Sequence, residues 1–264
     1  MASLRARSAP ARRGVVGLHA DVRRWPNDPA IAHLVLLDVT TVPTVDEIRR
    51  ITDQTFAADT SLRSIRTSAL FPGPRERFTD AGYTVSDRLV LLERPIDRIE
   101  PVRTLVRGRH GPAVRLRRLR RKDLHDAERI DAAAFPSGWS NTAATLTDIA
   151  GATPRHRSRL ATIDDVPVGF VITGAAGPVG YLQRLAVDPA HQRRGAAVEL
   201  VHDALGWLQR RGDTTARVNT RVDNEPALGV YRATGVNHRR DELEGMERRR
   251  CRRTRRGAER VPTA

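Results

Sequence analysis

Lysine is almost missing from this 264-residue chain: Lys122 is the only one, so the formal net charge of +15 rests on arginine. Cysteine is as scarce. Cys251 stands alone, which excludes an internal disulfide and a thiol-clustered metal site. Its arginine neighbours favour the thiolate, but no base is held beside it, so a nucleophilic role is not expected and a reducing, cytoplasmic setting fits. No apolar run approaches the roughly 20 residues of a membrane span, so no membrane partner is expected. Residues 1–17 are rich in Arg, Ala and Ser and lack the apolar core of a secretory signal; residues 1–30 read as a disordered leader. Aromatic residues are absent from the one concentrated basic run, residues 248–256. Without stacking rings, and with no helix-turn-helix or zinc spacing, nucleic acid is a partner only through that tail, by salt-sensitive attraction. Residues 248–264 read as a basic disordered tail.

What is present is a globular composition, 39% hydrophobic and 29% charged, arranged as two α/β series. In the first, residues 31–95, an apolar run at 34–39 predicts a buried strand. Thr44 and Glu47 form a capping-box pattern that predicts a helix with Val45, Ile48 and Ile51 on one face. An extended stretch at 62–69, a turn at 71–74, a short helix ending at Gly82 and a strand at 85–92 follow. Pro101, Gly108, Gly111 and Pro112 mark residues 96–113 as a linker. The second series, residues 114–247, opens with a strand at 114–119. A helix carrying Leu124, Ala127, Asp131 and Ala134 comes next, then a helix at 141–150. Asp164-Asp165 predicts a hairpin between strands at 159–163 and 168–173. A strand at 180–187 leads to the clearest helix, 195–210, stopped by Gly212. A strand at 215–220, a helix at 226–234 and a weakly marked last strand near 238–247 complete it.

One junction carries chemistry. Leu185-Ala186-Val187-Asp188-Pro189-Ala190-His191-Gln192-Arg193-Arg194-Gly195-Ala196-Ala197 runs from strand through turn into helix. Small residues at the helix start leave room for backbone N–H groups to converge on an anion, which the helix dipole also favours. Arg193 and Arg194 add donors suited to phosphate. Downstream stands Asn224-Glu225-Pro226-Ala227-Leu228-Gly229-Val230-Tyr231-Arg232-Ala233-Thr234-Gly235-Val236.

Both motifs, in this order, resemble those of the GNAT family of N-acetyltransferases. The resemblance implies an α/β (α+β) fold, a mixed central sheet flanked by helices, and acetyl-CoA as co-substrate with no metal. By the same resemblance Gln192, Arg193, Arg194, Gly195, Ala196 and Ala197 cradle the pyrophosphate. Leu185, Ala186 and Val187 pair with pantetheine, Asn224 positions the cofactor or caps its helix, and Tyr231 is the general acid that protonates the departing thiolate. The implied reaction is direct transfer of an acetyl or short acyl group to a primary amine: a protein N-terminus, a lysine or a small amine. The family's strand glutamate is missing, since Gly180-Tyr181-Leu182-Gln183-Arg184 holds no acid, and this leaves the base unassigned. A non-catalytic acyl-CoA-binding module and an arginine-driven nucleic-acid binder are the alternatives.

The first series repeats the element order seen from Leu182 onward, with Phe78-Thr79-Asp80-Ala81-Gly82-Tyr83 aligned on Tyr231-Arg232-Ala233-Thr234-Gly235-Val236. Phe78 has no hydroxyl, and residues 40–44 supply neither glycine nor arginine. This unit reads as a degenerate GNAT-like half-repeat without its phosphate loop.

Overall fold

The computed structural model describes residues 20–25, 28–37, 41–96, 114–136 and 138–250. The first unit comprises β1 (Ala20–Trp25), β2 (Asp28–Leu36), α1 (Val45–Ala58), β3 (Ser64–Thr67), α2 (Pro72–Asp80) and β4 (Thr84–Pro95). The second opens with β5 (Arg115–Arg118), α3 (Leu124–Ala134), α4 (Ala143–Gly151) and the strands β6 (Arg155–Ile163), β7 (Val166–Ala176) and β8 (Val179–Val187). It ends with α5 (Ala196–Arg210), β9 (Thr215–Arg221), α6 (Glu225–Ala233) and β10 (Asn237–Arg249). Among the described residues no helix is long and apolar enough to cross a membrane.

Local signals set most of these bounds. Thr44 caps α1: its hydroxyl accepts from the Glu47 amide at 3.3 Å, and Glu47 accepts from the Thr44 amide at 2.9 Å. Asp164 and Asp165 take positive φ (49° and 62°) in the β6–β7 hairpin, a conformation that Asp tolerates better than most residues. In α5 the apolar stripe Leu200, Val201, Ala204, Leu205 and Leu208 is buried against β7 and β8.

All the strands join one mixed sheet in the order β1-β2-β3-β10-β4-β9-β8-β7-β6-β5. The two units have exchanged their last strands. β10, from the second unit, lies antiparallel between β3 and β4, and β4, from the first, lies between β10 and β9. Parallel pairs β2–β3 and β8–β9 flank this centre in opposite directions, so the halves are related by a pseudo-two-fold axis between β4 and β10. Met246 of β10 accordingly packs among Leu34, Ile48, Ile65 and Phe78 of the first unit, while Val90 and Leu92 of β4 enter the core beneath α5. A third cluster, Ile130, Leu146, Leu160, Phe170 and Ile172, seats α3 and α4 on the other face.

Several expectations are corrected. Residues 20–25 and 28–30 are not leader: β1 pairs antiparallel along β2, and Ala20 and Val22 pack on the first unit's core. The strand expected at 34–39 starts at Asp28 and ends at Leu36. The turn expected at 71–74 is the first turn of α2, where Pro72 and Pro74 occupy positions that need no amide donor. The tail does not begin at 248. Arg248 and Arg249 end β10, and the Arg250 guanidinium donates to the carbonyls of Phe56 (2.8 Å), Asp59 (2.6 Å) and Leu62 (2.7 Å), closing the C-terminal end of α1. Residues 1–19, most of the linker (97–113) and the rest of the tail (251–264), Cys251 included, lie outside the described residues.

The two units also touch away from the sheet. Trp25 Nε1 donates to the Gly138 carbonyl at 2.8 Å, and the Trp25 ring meets the edges of Trp139 and His33. Burial, then the charge of Arg23, lowers the His33 pKa from 6.5 to about 4 against an opposing pull from Asp21. The unfolded chain therefore binds more protons between those values. His33 contributes stability that is present above about pH 6.5 and lost as the pH falls through about 4. Melting temperature plotted against pH should decline over that window, and His33→Gln should make the decline shallower.

Candidate functional site

The site begins where two parallel strands part. β8 pairs with β9 only through Val179, Gly180 and Tyr181, yet continues to Val187. On its other side it stays paired with β7, with Gln183 bulged out of the ladder between Leu182 and Arg184. β9 meanwhile follows β4 as far as Arg221. The backbone edge of residues 182–187 that faces β9 is thus free of strand partners, and a wedge opens towards the strand ends.

The helix α5 starts at the mouth of this wedge. Asp188 follows β8, caps the next turn through the Ala190 amide at 3.0 Å and pairs with Arg129 of α3 at 3.1 Å. Gln192 ties the loop back by donating to the Val187 carbonyl at 3.3 Å. Arg193 (φ 60°) and Gly195 (φ 87°) are both left-handed, and no side chain caps the helix. Its first backbone bond runs from Glu199 to the Gly195 carbonyl. The amides of Ala196, Ala197 and Val198 therefore project from an uncapped helix end, a ready anion site.

A cleft of about 690 Å³ joins these parts. Leu185, Ala186, Val187, Gln192, Arg193, Arg194, Gly195, Ala196, Ala197 and Asn224 all line it, and Phe135, Pro226 and Val230 add apolar surface. Ala197 both packs against the core beneath α5 and lines this cleft. Asn224 caps α6 through the Ala227 amide at 3.3 Å and holds Thr220 at 3.0 Å, so it also fixes where α6 leaves β9. Phosphate, carbonyl and alkyl groups each find a matching surface here: cationic and amide donors at the helix end, a free strand edge, and apolar walls. These features fit a long acyl-CoA thioester. No carboxylate lines the cleft among the described residues, and no cluster of His, Cys, Asp or Glu there could hold a metal ion.

Tyr231 is not on the cleft wall. It is 4% exposed and belongs to the core under α5. Burial pushes its phenol well above the ordinary value, and the nearby charge of Arg184 pulls the other way. Tyr231 therefore lies in the core behind the cleft, and Arg184 is the cation whose charge acts on it.

That cation heads a cluster that sequence reasoning passed over. Arg184 Nε and Nη2 bind Asp131 at 2.7 and 2.6 Å, and Nη2 also donates to the Trp139 carbonyl at 2.8 Å. The guanidinium lies 3.5 Å from the Phe135 ring centroid. Asp131 is fully buried on α3 and also accepts from the Asn141 amide at 2.8 Å. The signal was legible: an aspartate on the apolar stripe with Leu124, Ala127 and Ala134 requires a buried partner. Nothing local pointed to Arg184 as that partner.

A free strand edge leading to an uncapped helix end makes one continuous cleft with an anion-binding end. The family model for the acetyltransferase (GNAT) family matches residues 124–236. A curated relative, the [ribosomal protein bS18]-alanine N-acetyltransferase of Salmonella typhimurium, is 30% identical over 115 residues, covering 44% of this chain and 75% of that protein. A dTDP-fucosamine acetyltransferase of Escherichia coli is 35% identical over 75 residues, 26% of this chain and 34% of its own length. A tandem GNAT protein from the clavulanic acid biosynthesis pathway shares the fold at a TM-score of 0.63 and 15% identity, covering 83% of this chain and 75% of that one. The chain belongs to the GNAT family of acetyltransferases. It is an acyltransferase built on the GNAT acyl-CoA N-acyltransferase fold.

Proposed function

We propose that this enzyme moves an acetyl or other short acyl group from acetyl-CoA to a primary amine by direct attack within a ternary complex. The observation that carries the reading is the single cleft in which the free edge of residues 182–187 runs into the uncapped, left-handed entry to α5. Ala196, Ala197 and Val198 amides, with Arg193 and Arg194, take the pyrophosphate, and residues 185–187 offer backbone partners to the pantetheine amides. When bound, the co-substrate supplies a thioester carbonyl. A neutral amine forms the new C–N bond as the C–S bond breaks, the amine gives up one proton, and the thiolate gains one from the Tyr231 hydroxyl. The phenol is protonated at neutral pH, but burial makes it a weaker acid, so the donation requires the sulfur to reach Tyr231 behind the cleft wall. With no acid on the cleft wall, a water or a backbone carbonyl takes the amine proton.

The amine is the only acceptor feature shared by the two named relatives, one acting on a protein alanine and the other named for an amino sugar. We read the acceptor class as a primary amine and the setting as the cytoplasm. The first unit is read as a half-repeat that has lost its own cofactor site. Its β2 and β3 stay paired from Ile31 to Leu34, and the Glu47 carboxylate occupies the end of α1 where an anion would sit.

The test is calorimetric binding of acetyl-CoA, followed by a screen of peptide and small-molecule amines for thiol release. Tyr231→Phe should lower kcat by about 100-fold while leaving the acetyl-CoA Kd unchanged. Equal turnover by the variant would remove Tyr231 from the reaction.

A further inference from the structure

A second cavity, about 510 Å³, lies in the first unit where β3 begins and β10 ends. Ser64 and Arg66 of β3 face it, paired across the ladder with Arg249 and Glu247 of β10, and Arg63 and Arg250 complete its cationic wall. Ser64 is 1% exposed, and its hydroxyl has no hydrogen-bond partner among the described residues. Arg66 Nε is buried as well. It lies 3.5 Å from Glu247 Oε1 without forming a hydrogen bond.

The other charges are already engaged. Arg63 pairs with Asp28, and Arg250 spends its donors on the carbonyls that end α1. An anion in the cavity would therefore not face bare helix carbonyls. Glu247 is shared between Arg66 and Arg249, so the two guanidinium groups divide one carboxylate. The unpaired Ser64 hydroxyl and two arginines that share one carboxylate, Arg66 (also stacked over Trp25) and the exposed Arg249, line one cavity and match a tetrahedral oxyanion, whose oxygens accept from several donors at once.

We propose that this cavity binds a small phosphate-bearing molecule, its phosphoryl group held by Arg66, Arg249 and the Ser64 hydroxyl. The space exceeds what one phosphate fills, which leaves room for an organic portion. This site is separate from the acyl-CoA cleft and does not depend on the reading of that cleft.

The experiment is calorimetry on the full chain with glucose 6-phosphate and with inorganic phosphate, using wild type, Arg66→Gln, Arg249→Gln and Gly195→Glu. Wild type should bind one equivalent of glucose 6-phosphate. Arg66→Gln should weaken binding at least tenfold, and Gly195→Glu should leave it unchanged. Should Arg66→Gln fail to fold, Arg249→Gln, with its side chain 84% exposed, gives the same reading at threefold or more. Inorganic phosphate binding as tightly as the ester assigns the cavity to free phosphate; weaker binding assigns it to a phosphate ester. No binding by wild type, or binding that survives both arginine substitutions, overturns the proposal.

Discussion

Gly195→Glu is expected to weaken acetyl-CoA binding at least ~100-fold, equivalent to about 2.7 kcal/mol, while the protein still folds. Two effects act together. Gly195 sits at φ 87°, where a Cβ strains the backbone by about 1–2 kcal/mol and turns the amides that follow. The added carboxylate also takes the space and the charge position reserved for a phosphate at the helix end. Gly212→Ala is the matched control. Gly212 is also left-handed (φ 81°), but a Cβ there meets nothing within 4 Å, so the change should cost stability and leave affinity intact. Calorimetry on the three proteins separates the outcomes. Undiminished binding by Gly195→Glu would move the cofactor out of this cleft.

Asp131→Ala should be the most damaging single change to stability, at about 3–5 kcal/mol. The substitution leaves Arg184 charged, only 14% exposed in its side chain and without its two shortest bonds. It also strips the Asn141 amide of its acceptor. A loss of that size is a large share of the roughly 5–15 kcal/mol that holds a typical domain together. Urea denaturation measures it directly, and Asp131→Asn, which keeps an acceptor for both neighbours, should lose less. A cost below about 1 kcal/mol, the range of exposed ion pairs, would mean that Arg184 finds another partner.

Much of the site was legible because its parts are contiguous. Residues 185–197 follow one another through strand, turn and helix, and the spacing of small residues at the helix start showed which end was open. The capping box at Thr44 and the stripe of α5 were readable for the same reason: each is decided within a few turns of chain. Long-range pairings were not. Nothing in residues 84–95 says that this strand abandons its own unit for β9, because an alternating apolar pattern fits either neighbour and packing chooses between them. The depth of Tyr231, the partner of Asp131 and the hairpin around Trp25 share that limit. Asp131 meets Arg184, 53 positions on, and Trp25 meets Gly138, 113 positions on, and a short segment such as 20–25 looks like loop until its partner strand is known.

The exchanged strands also constrain how the chain can be made. β10 leaves the ribosome after every other described strand, yet it lies in the middle of the sheet, between two strands translated far earlier. Until it arrives, β3 and β4 each present an unpaired edge, and Leu34, Ile65 and Phe78 lack the Met246 side chain that closes their core. Folding of the first unit is thereby postponed until β10 has been made, and a nascent chain stalled before Asn237 leaves those edges open to other chains.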